Sequence, residues 1–427
     1  MNQSGNKFFD ILIVGGGPAG LAAAVAAGQA FAEAATGDGR KNAGKSAGKS
    51  AGKPTVAILE KKEVPGKKLS ATGNGRCNIS NTACCDDEVN GFFDSIGLMR
   101  KADDAGRIYP YSEEAGQVTG LLVDSAVELN TKIFTNCQVS WVKRNENSGP
   151  AENGGFVVGA EFTETDKKNK KNQKNQPEQV VFSCKKLLIA TGGKSYAVFG
   201  STGDGFAWAR SLGHNVTRLA PSLVPVQVEE NPQFAMLSGL RAKGKVSLLH
   251  CGSKIYEEKG EIQFNRDSIS GICIMNISKL LVLAEGKPFK EAFAEYHIEM
   301  DLVPDFTEDE LVAFLRGNSC SLTTVVKKKM ADYILSLAKK ASPEEIAHLL
   351  KHLKFNVTGT KGWNEAQVTR GGVMMDEVDA QTMESKLVKG LYFAGEVMDF
   401  DGFCGGYNLN YAWLSGSRAG KDMANNV

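Results

Sequence analysis

Apolar residues run unbroken through "ILIV" at 11–14 and then give way to an alanine-rich stretch, 18–35, that reads as a helix. A second short apolar run, "TVAILE" at 55–60, has the length and branching of a strand. "FVVGAEFTE" and "VVFSCKKLLIATGG" read as two strands of a β-meander, joined across the polar tip "TDKKNKKNQKNQP". Short alternating strands fill residues 221–252, "LVPVQVEE" and "KVSLLHC" among them, followed by "EIQFNRDSISG". From 277 to 355 the period becomes helical, in "SKLLVLAEG", "TEDELVAFLRG", "VVKKKMADYILSLAKK" and "SPEEIAHLLKHLKF". Strand patterns return at "AQVTRGGVMM" and "GLYFAGEV". The predicted fold is therefore α/β: a Rossmann-like domain in two parts, 1–219 and 360–427, interrupted at 220–359 by an insert of strands and helices.

Two glycine-rich stretches compete as phosphate sites. "GRKNAGKS" at 39–46 fits the Walker A pattern letter for letter, but a helix precedes it, and further AGKS and AGKP repeats and Pro54 follow. Without a helix behind it the loop lacks the aimed N–H groups and positive dipole end that hold phosphate. Residues 36–54 are read instead as a low-complexity loop, as are 165–177 at the meander tip. Gly15, Gly17 and Gly20 stand between strand and helix, the context the dinucleotide fingerprint requires. Gly15 makes the tight turn, Gly17 lets the backbone approach a pyrophosphate, and Gly20 allows close helix packing. Glu60 ends the next strand and is placed to meet ribose hydroxyls. It falls 40 positions after Gly20, and the inserted loop accounts for the excess over the usual interval of about 20.

Charge narrows the partners. With 50 Lys and Arg against 49 Asp and Glu, no global field recruits nucleic acid or an anionic membrane, so neither is expected as a partner. A polar N-terminus and an apolar run broken by Gly15-Gly16-Gly17-Pro18 point to a cytoplasmic protein without a spanning helix. Nine scattered cysteines with no C-x-x-C give neither a zinc ribbon nor a disulfide framework. His348 and His352 are four apart on one helix, but Leu349 stands where a metalloprotease needs Glu, so a packing or solvated role is expected and no metal site.

Three further segments point to a long ligand. Thr191-Gly192-Gly193 and Gly395-Glu396 each follow an apolar strand, and Gly405-Gly406 opens a helix at about Tyr407. Strand ends far apart in sequence suit FAD lying over one sheet edge, with the late helix aiming N–H groups at the flavin N1/O2 edge. In "GKKLSATGNGRCNISN", 66–81, Lys67, Lys68 and Arg76 could meet pyrophosphate or a substrate carboxylate.

"GNGRCNISN", "GRIYPYSEEA", "GSTGDGFAWARSLGH", "PSLVPVQV", "SGICIMNIS" and "GLYFAGEVMDFDGFCGGYNLNYAW" resemble the BaiN-type (YhiN-like, also labelled aminoacetone oxidase) family of FAD-binding proteins, over nearly the whole chain. The resemblance implies an inserted β-barrel with a helical region, noncovalent FAD, and reduction of an activated C=C bond of a small organic substrate by hydride from flavin N5. Flavin-dependent amine oxidation, or an RNA-acting or assembly role, is the alternative. A second nucleotide fingerprint is missing, so an external electron donor, or transient NAD(P)H, is implied. The expected cofactor shell is Gly15, Gly17, Pro18, Ala19, Gly20, Glu60, Lys61, Lys68, Gly75, Arg76, Cys77, Asn78, Val139, Thr191, Gly192, Gly193, Gly395, Glu396, Asp399, Gly405, Gly406, Tyr407 and Asn408. Tyr196 and Arg76 are the catalytic candidates, with Asp204 a further polar group in reach. Ala197 stands where the family usually has Pro, and Asn410 where it often has Gln.

Overall fold

The computed structural model describes residues 7–36, 53–145, 155–163, 177–229, 232–281, 289–317 and 322–427. The AGKS repeats and nearly all of the lysine-rich tip lie outside them. The chain divides into two compact units, Met1–Ala220 with Val368–Val427, and Pro221–Gln367.

The first unit is built on a seven-stranded sheet. Six strands run in the order Lys132–Phe134, Val56–Leu59, Lys7–Val14, Glu178–Ile189, Phe156–Phe162, Cys137–Arg144, and Leu391–Phe393 pairs with Glu178–Ile189 as the seventh. Ile11, Leu12, Ile13, Ile58, Leu187 and Leu188 are fully buried, because parallel strands covered on both faces need continuous apolar sequence rather than alternation. The meander strands Cys137–Arg144 and Phe156–Phe162 pair antiparallel, as does Phe156–Phe162 with Glu178–Ile189. The parallel strands finish level with one another: Val14 is in register with Leu59 and Ile189, and Ile189 with Phe393. Gly15, Gly192-Gly193 and Gly395, which follow these strands, therefore leave the sheet at the same edge.

Two long helices, Pro18–Thr36 and Tyr407–Asn425, pack on each other through glycine. A Cβ at Gly416 would collide with the carbonyl of Ala19, and one at Gly420 with that of Ala23. The glycines in these helix interiors weaken the helix locally, a cost of about 1 kcal/mol each, yet permit a close approach that any side chain would prevent. The pairing of 416 with 19 and 420 with 23 also makes the helices parallel. In this register Tyr407 stands eight residues further toward the N-terminal end than Pro18, about 12 Å at the helical rise of roughly 1.5 Å.

The second unit is a closed antiparallel barrel of six strands: Val226–Val228, Ser268–Ser270, Ser253–Phe264, Arg241–His250, Tyr296–Asp301 and Leu353–Thr360. Val226, Val246, Leu248, Ile262, Phe264, Ile269 and Ile298 fill it. Helices Ile272–Leu280, Glu308–Gly317, Lys328–Leu337 and Pro343–Lys351 complete the unit. The helical period read over 277–355 is interrupted by two strands. "YHIEMD" is a barrel strand with alternating burial, and the helix ending "HLLKHLKF" stops at Lys351, after which Leu353–Thr360 alternates strictly into the barrel. Six residues of period two are hidden when helical runs flank them. Among the described residues no helix is long and apolar enough to cross a membrane.

Candidate cofactor site

At the sheet edge the three fingerprint glycines have different reasons to be glycine. Gly15 has φ +109°, and a Cβ on it would strike the carbonyl of Ala190. A Cβ on Gly20 would strike the carbonyl of Gly15. Gly17 has neither constraint: its backbone is ordinary, and a Cβ there meets no protein atom within 4 Å. Its missing side chain leaves room beside the first turn of the helix Pro18–Thr36, where Pro18 and Ala19 stand.

Glu60 closes the neighbouring strand. Its two carboxylate oxygens accept from the N–H groups of Gly16 and Lys62, each at 2.8 Å. Burial nevertheless pushes its carboxyl above the usual range, the two N–H groups and the nearby Lys61 and Lys62 opposing that shift. Lys61 turns to Thr202 and Asp204, at 2.5 and 3.0 Å. Val139 is buried two residues beyond Cys137, whose N–H bonds to the carbonyl of Glu60.

Glu396 is the hub of the central part. One oxygen accepts from Lys68 Nζ at 2.7 Å; the other accepts from Ser195 Oγ at 3.0 Å and the N–H of Thr369 at 2.8 Å. Lys68 also donates to Ser195 Oγ at 2.8 Å. Gly193 lies so close to Thr369 and Glu396 that a Cβ would displace both, and Gly192 has φ +71°. Thr191 Oγ1 is buried without a hydrogen-bond partner. Gly395 (φ +74°) packs against Ala19, and Asp399 donates its N–H to the carbonyl of Val373.

The third part is the start of the C-terminal helix, where Gly405 and Gly406 have φ +119° and +103°. No side chain caps this helix, so its first N–H groups remain available. Side chains bolt it to the 78–84 segment. Asn81 Nδ2 donates to the carbonyl of Gly405 at 3.1 Å, Trp413 Nε1 to that of Ile79 at 2.8 Å, and Asn410 Nδ2 to that of Cys84 at 3.0 Å. Ser80 Oγ donates to Asn410 Oδ1 at 2.7 Å, so the residue that departs from the family pattern here is fully engaged. Asn408 ties down the preceding loop by pairing with both backbone groups of Gly402. Asn78 is different: both its amide atoms are buried and unpartnered, with the oxygen directly beneath Gly406. A buried amide without partners in the protein is costly and calls for a partner from outside the chain.

Gly73, Asn74, Gly75 and Cys77 all take left-handed backbone, so this loop bends sharply. Burial pushes the Cys77 thiol up to about 12, which removes it as a nucleophile. Arg76 lies half exposed over the ring of Tyr109, 4.9 Å from its centroid, with Glu113 at 3.6 Å. Tyr196 has φ +54° and packs on Phe199 at 5.8 Å. No hydrogen bond or ion pair among the described residues joins the two catalytic candidates. Ser195, Thr369 and Asn81 are not marked by the sequence, and Asn410 is marked only as a departure from the family pattern; each contributes through a contact between distant segments that no local pattern encodes.

The arrangement leaves open room beside Gly17 at one helix start, an acid next to it, and a second helix start offset by about 12 Å along the helix direction with an unsatisfied amide beneath. A family model described as the HI0933-like protein Rossmann domain matches residues 86–422. The chain is 32% identical to the 3-dehydro-bile acid delta(4,6)-reductase of Clostridium scindens, covering 96% of this chain and 98% of the relative. It is 26% identical to the ribosomal RNA dihydrouridine synthase of Haemophilus influenzae, covering 84% and 90%, and 25% identical to that of Escherichia coli, covering 97% and 98%. With a family model spanning well over half the chain and a close relative spanning nearly all of it, the chain belongs to the HI0933-like Rossmann family and is a flavoprotein oxidoreductase of the BaiN type.

Proposed function

We propose that the first unit holds FAD noncovalently along its sheet edge and that the chain reduces a carbon–carbon double bond conjugated to a carbonyl in a small organic substrate. The observation that carries the cofactor reading is Gly17, a glycine the protein itself does not need, at the spot where a pyrophosphate meets a helix start. Bound FAD supplies a two-electron carrier able to pass hydride through N5. Glu60 has lone pairs left for ribose hydroxyls, and Lys68 with Glu396 borders the path between the two helix starts. The N–H groups at Tyr407 favour negative charge on the flavin pyrimidine edge, and Asn78 offers that edge one donor and one acceptor. Tyr196 holds the proton for the carbon opposite the hydride, and Arg76 orients the substrate.

Two relatives with different substrates support the reaction class. One is named a delta(4,6)-reductase and the other a dihydrouridine synthase, and both names denote saturation of a ring double bond. The higher identity to the first favours a small molecule; the second keeps a uracil ring in RNA as the other reading. The test reduces the protein anaerobically with dithionite and follows reoxidation of the flavin. Steroid-like and simple enones should reoxidise it faster than dioxygen does. Reoxidation only by uridine-containing RNA selects the second reading. Inert enones, together with reduction of the oxidised form by primary amines, would replace both with amine oxidation.

A further inference from the structure

His348 and His352 do more than decorate a helix. The helix Pro343–Lys351 starts on a Ser342 cap, with Pro343 in its first turn, and places His348 in its last turn with His352 just past its end. Their rings lie 4.9 Å apart. Glu308, the first residue of the helix Glu308–Gly317, comes in from the side: its Oε1 is 3.3 Å from His348 Nδ1 and its Oε2 3.6 Å from His352 Nε2. One ligand atom from each of the three residues lies within 4.8 Å of the others. On its remaining nitrogen, Nδ1, His352 meets Glu299 Oε1 of the strand Tyr296–Asp301 at 3.2 Å.

We infer that Glu308, His348 and His352 form a divalent metal site of the zinc class, with Glu299 as the carboxylate that orients His352. Two imidazoles and one carboxylate are a zinc donor set, and the bond lengths of about 2.0–2.2 Å require only small side-chain rotations from the present spacing. The nitrogen donors select zinc, nickel or copper over magnesium and calcium, which prefer all-oxygen shells. A carboxylate behind a ligating imidazole fixes the ring and raises its basicity. The three ligand side chains are 40–62% exposed, so an ion and its remaining waters can enter from solvent. Bound metal would clip two helices together, with the barrel strand behind them.

A second cluster in the same unit, His250, Cys251 and Glu295, is the competitor the experiment must separate. Zinc chloride is titrated into the full chain as purified, followed by calorimetry and thermal unfolding. The wild type should bind zinc saturably at micromolar concentration or below and melt higher with it. His348→Ala/His352→Ala should weaken binding at this site by about 100-fold or more, Glu299→Gln by roughly 10-fold, and Cys251→Ser should leave it in place. Because the histidines are exposed, the double variant without zinc should melt as the wild type does; a zinc-dependent rise lost only in that variant supports the site. No saturable binding at 100 µM zinc, about a hundredfold above a micromolar site, would overturn the inference. So would binding that survives the double variant and disappears in Cys251→Ser.

Discussion

Lys68 and Glu396, 328 residues apart in sequence, meet at 2.7 Å with both side chains about four-fifths buried, and Ser195 bridges them. The pair joins the segment after the strand Val56–Leu59 to the end of the last strand, Leu391–Phe393. Lys68→Met leaves a largely desolvated carboxylate with one donor fewer, and should cost about 2 kcal/mol in urea unfolding of the flavin-free protein. Adding Glu396→Gln should recover a substantial part of it, because removing both charges is milder than stranding one. Fully additive losses would mean that the two residues act independently.

Gly17 and Gly20 should separate ligand binding from folding. Gly17→Val meets open space and should leave the melting temperature of the flavin-free protein unchanged while abolishing most flavin retention. Gly20→Ala strikes the Gly15 carbonyl and should destabilise the flavin-free protein itself, by roughly 2 kcal/mol or more. Full flavin occupancy in Gly17→Val would remove the cradle from the site.

Asn78 predicts effects of opposite sign. Its amide has no partner in the protein, so Asn78→Leu should raise flavin-free stability by about 1 kcal/mol by removing an unsatisfied buried group. The same change should weaken FAD binding by about 10- to 100-fold, the worth of the two hydrogen bonds the amide would lose. Unfolding curves and flavin-fluorescence titrations read the two effects separately.

These contrasts mark what the sequence could disclose. The strand–turn–helix around Gly15 and the acid at Glu60 were legible because their chemistry is local: a tight turn, a helix start, a strand end. The AGKS repeats, set aside by the same local logic, lie outside the described residues. Gly416 and Gly420 look like flaws in a helix until Ala19 and Ala23 are seen against them. Thr369 and Ser195 join the site through contacts with Glu396 and Lys68 rather than through a motif of their own, and Glu308 lies 40 residues from the histidine it faces. Contacts of that range are settled by the packing of whole elements, so no window of sequence carries them.

His214 should make the first unit sensitive to acid. Its side chain is fully buried between Glu377 Oε2 at 2.9 Å and Ser385 Oγ at 2.8 Å, and burial outweighs the nearby carboxylate in holding its pKa below the usual value of about 6.5. The unfolded chain thus binds a proton that the folded one refuses. This contribution is complete above pH 6.5 and declines as pH falls below that value toward the folded pKa. Urea midpoints should drop between pH 7.5 and 5.5, and His214→Gln should flatten the drop. A slope unchanged in the variant would assign the acid sensitivity to other groups.

Tyr196→Phe should slow reoxidation of the reduced flavin by an enone about 100-fold while leaving dithionite reduction intact, the usual effect of losing a proton donor. Stopped-flow absorbance resolves the two half-reactions. Equal slowing of both would place Tyr196 in flavin binding instead.

The parallel helix pair also sets an order of events during synthesis. One helix start is made within the first 20 residues; its partner at Tyr407 follows about 390 residues later, roughly 20–80 s at ribosomal rates of 5–20 residues per second. Until then the Ala19 and Ala23 backbone has no glycine face against it and the site has only one of its two ends. On the proposed reading of this edge, cofactor capture is a terminal step, because a chain stalled before Gly405 lacks the second helix start.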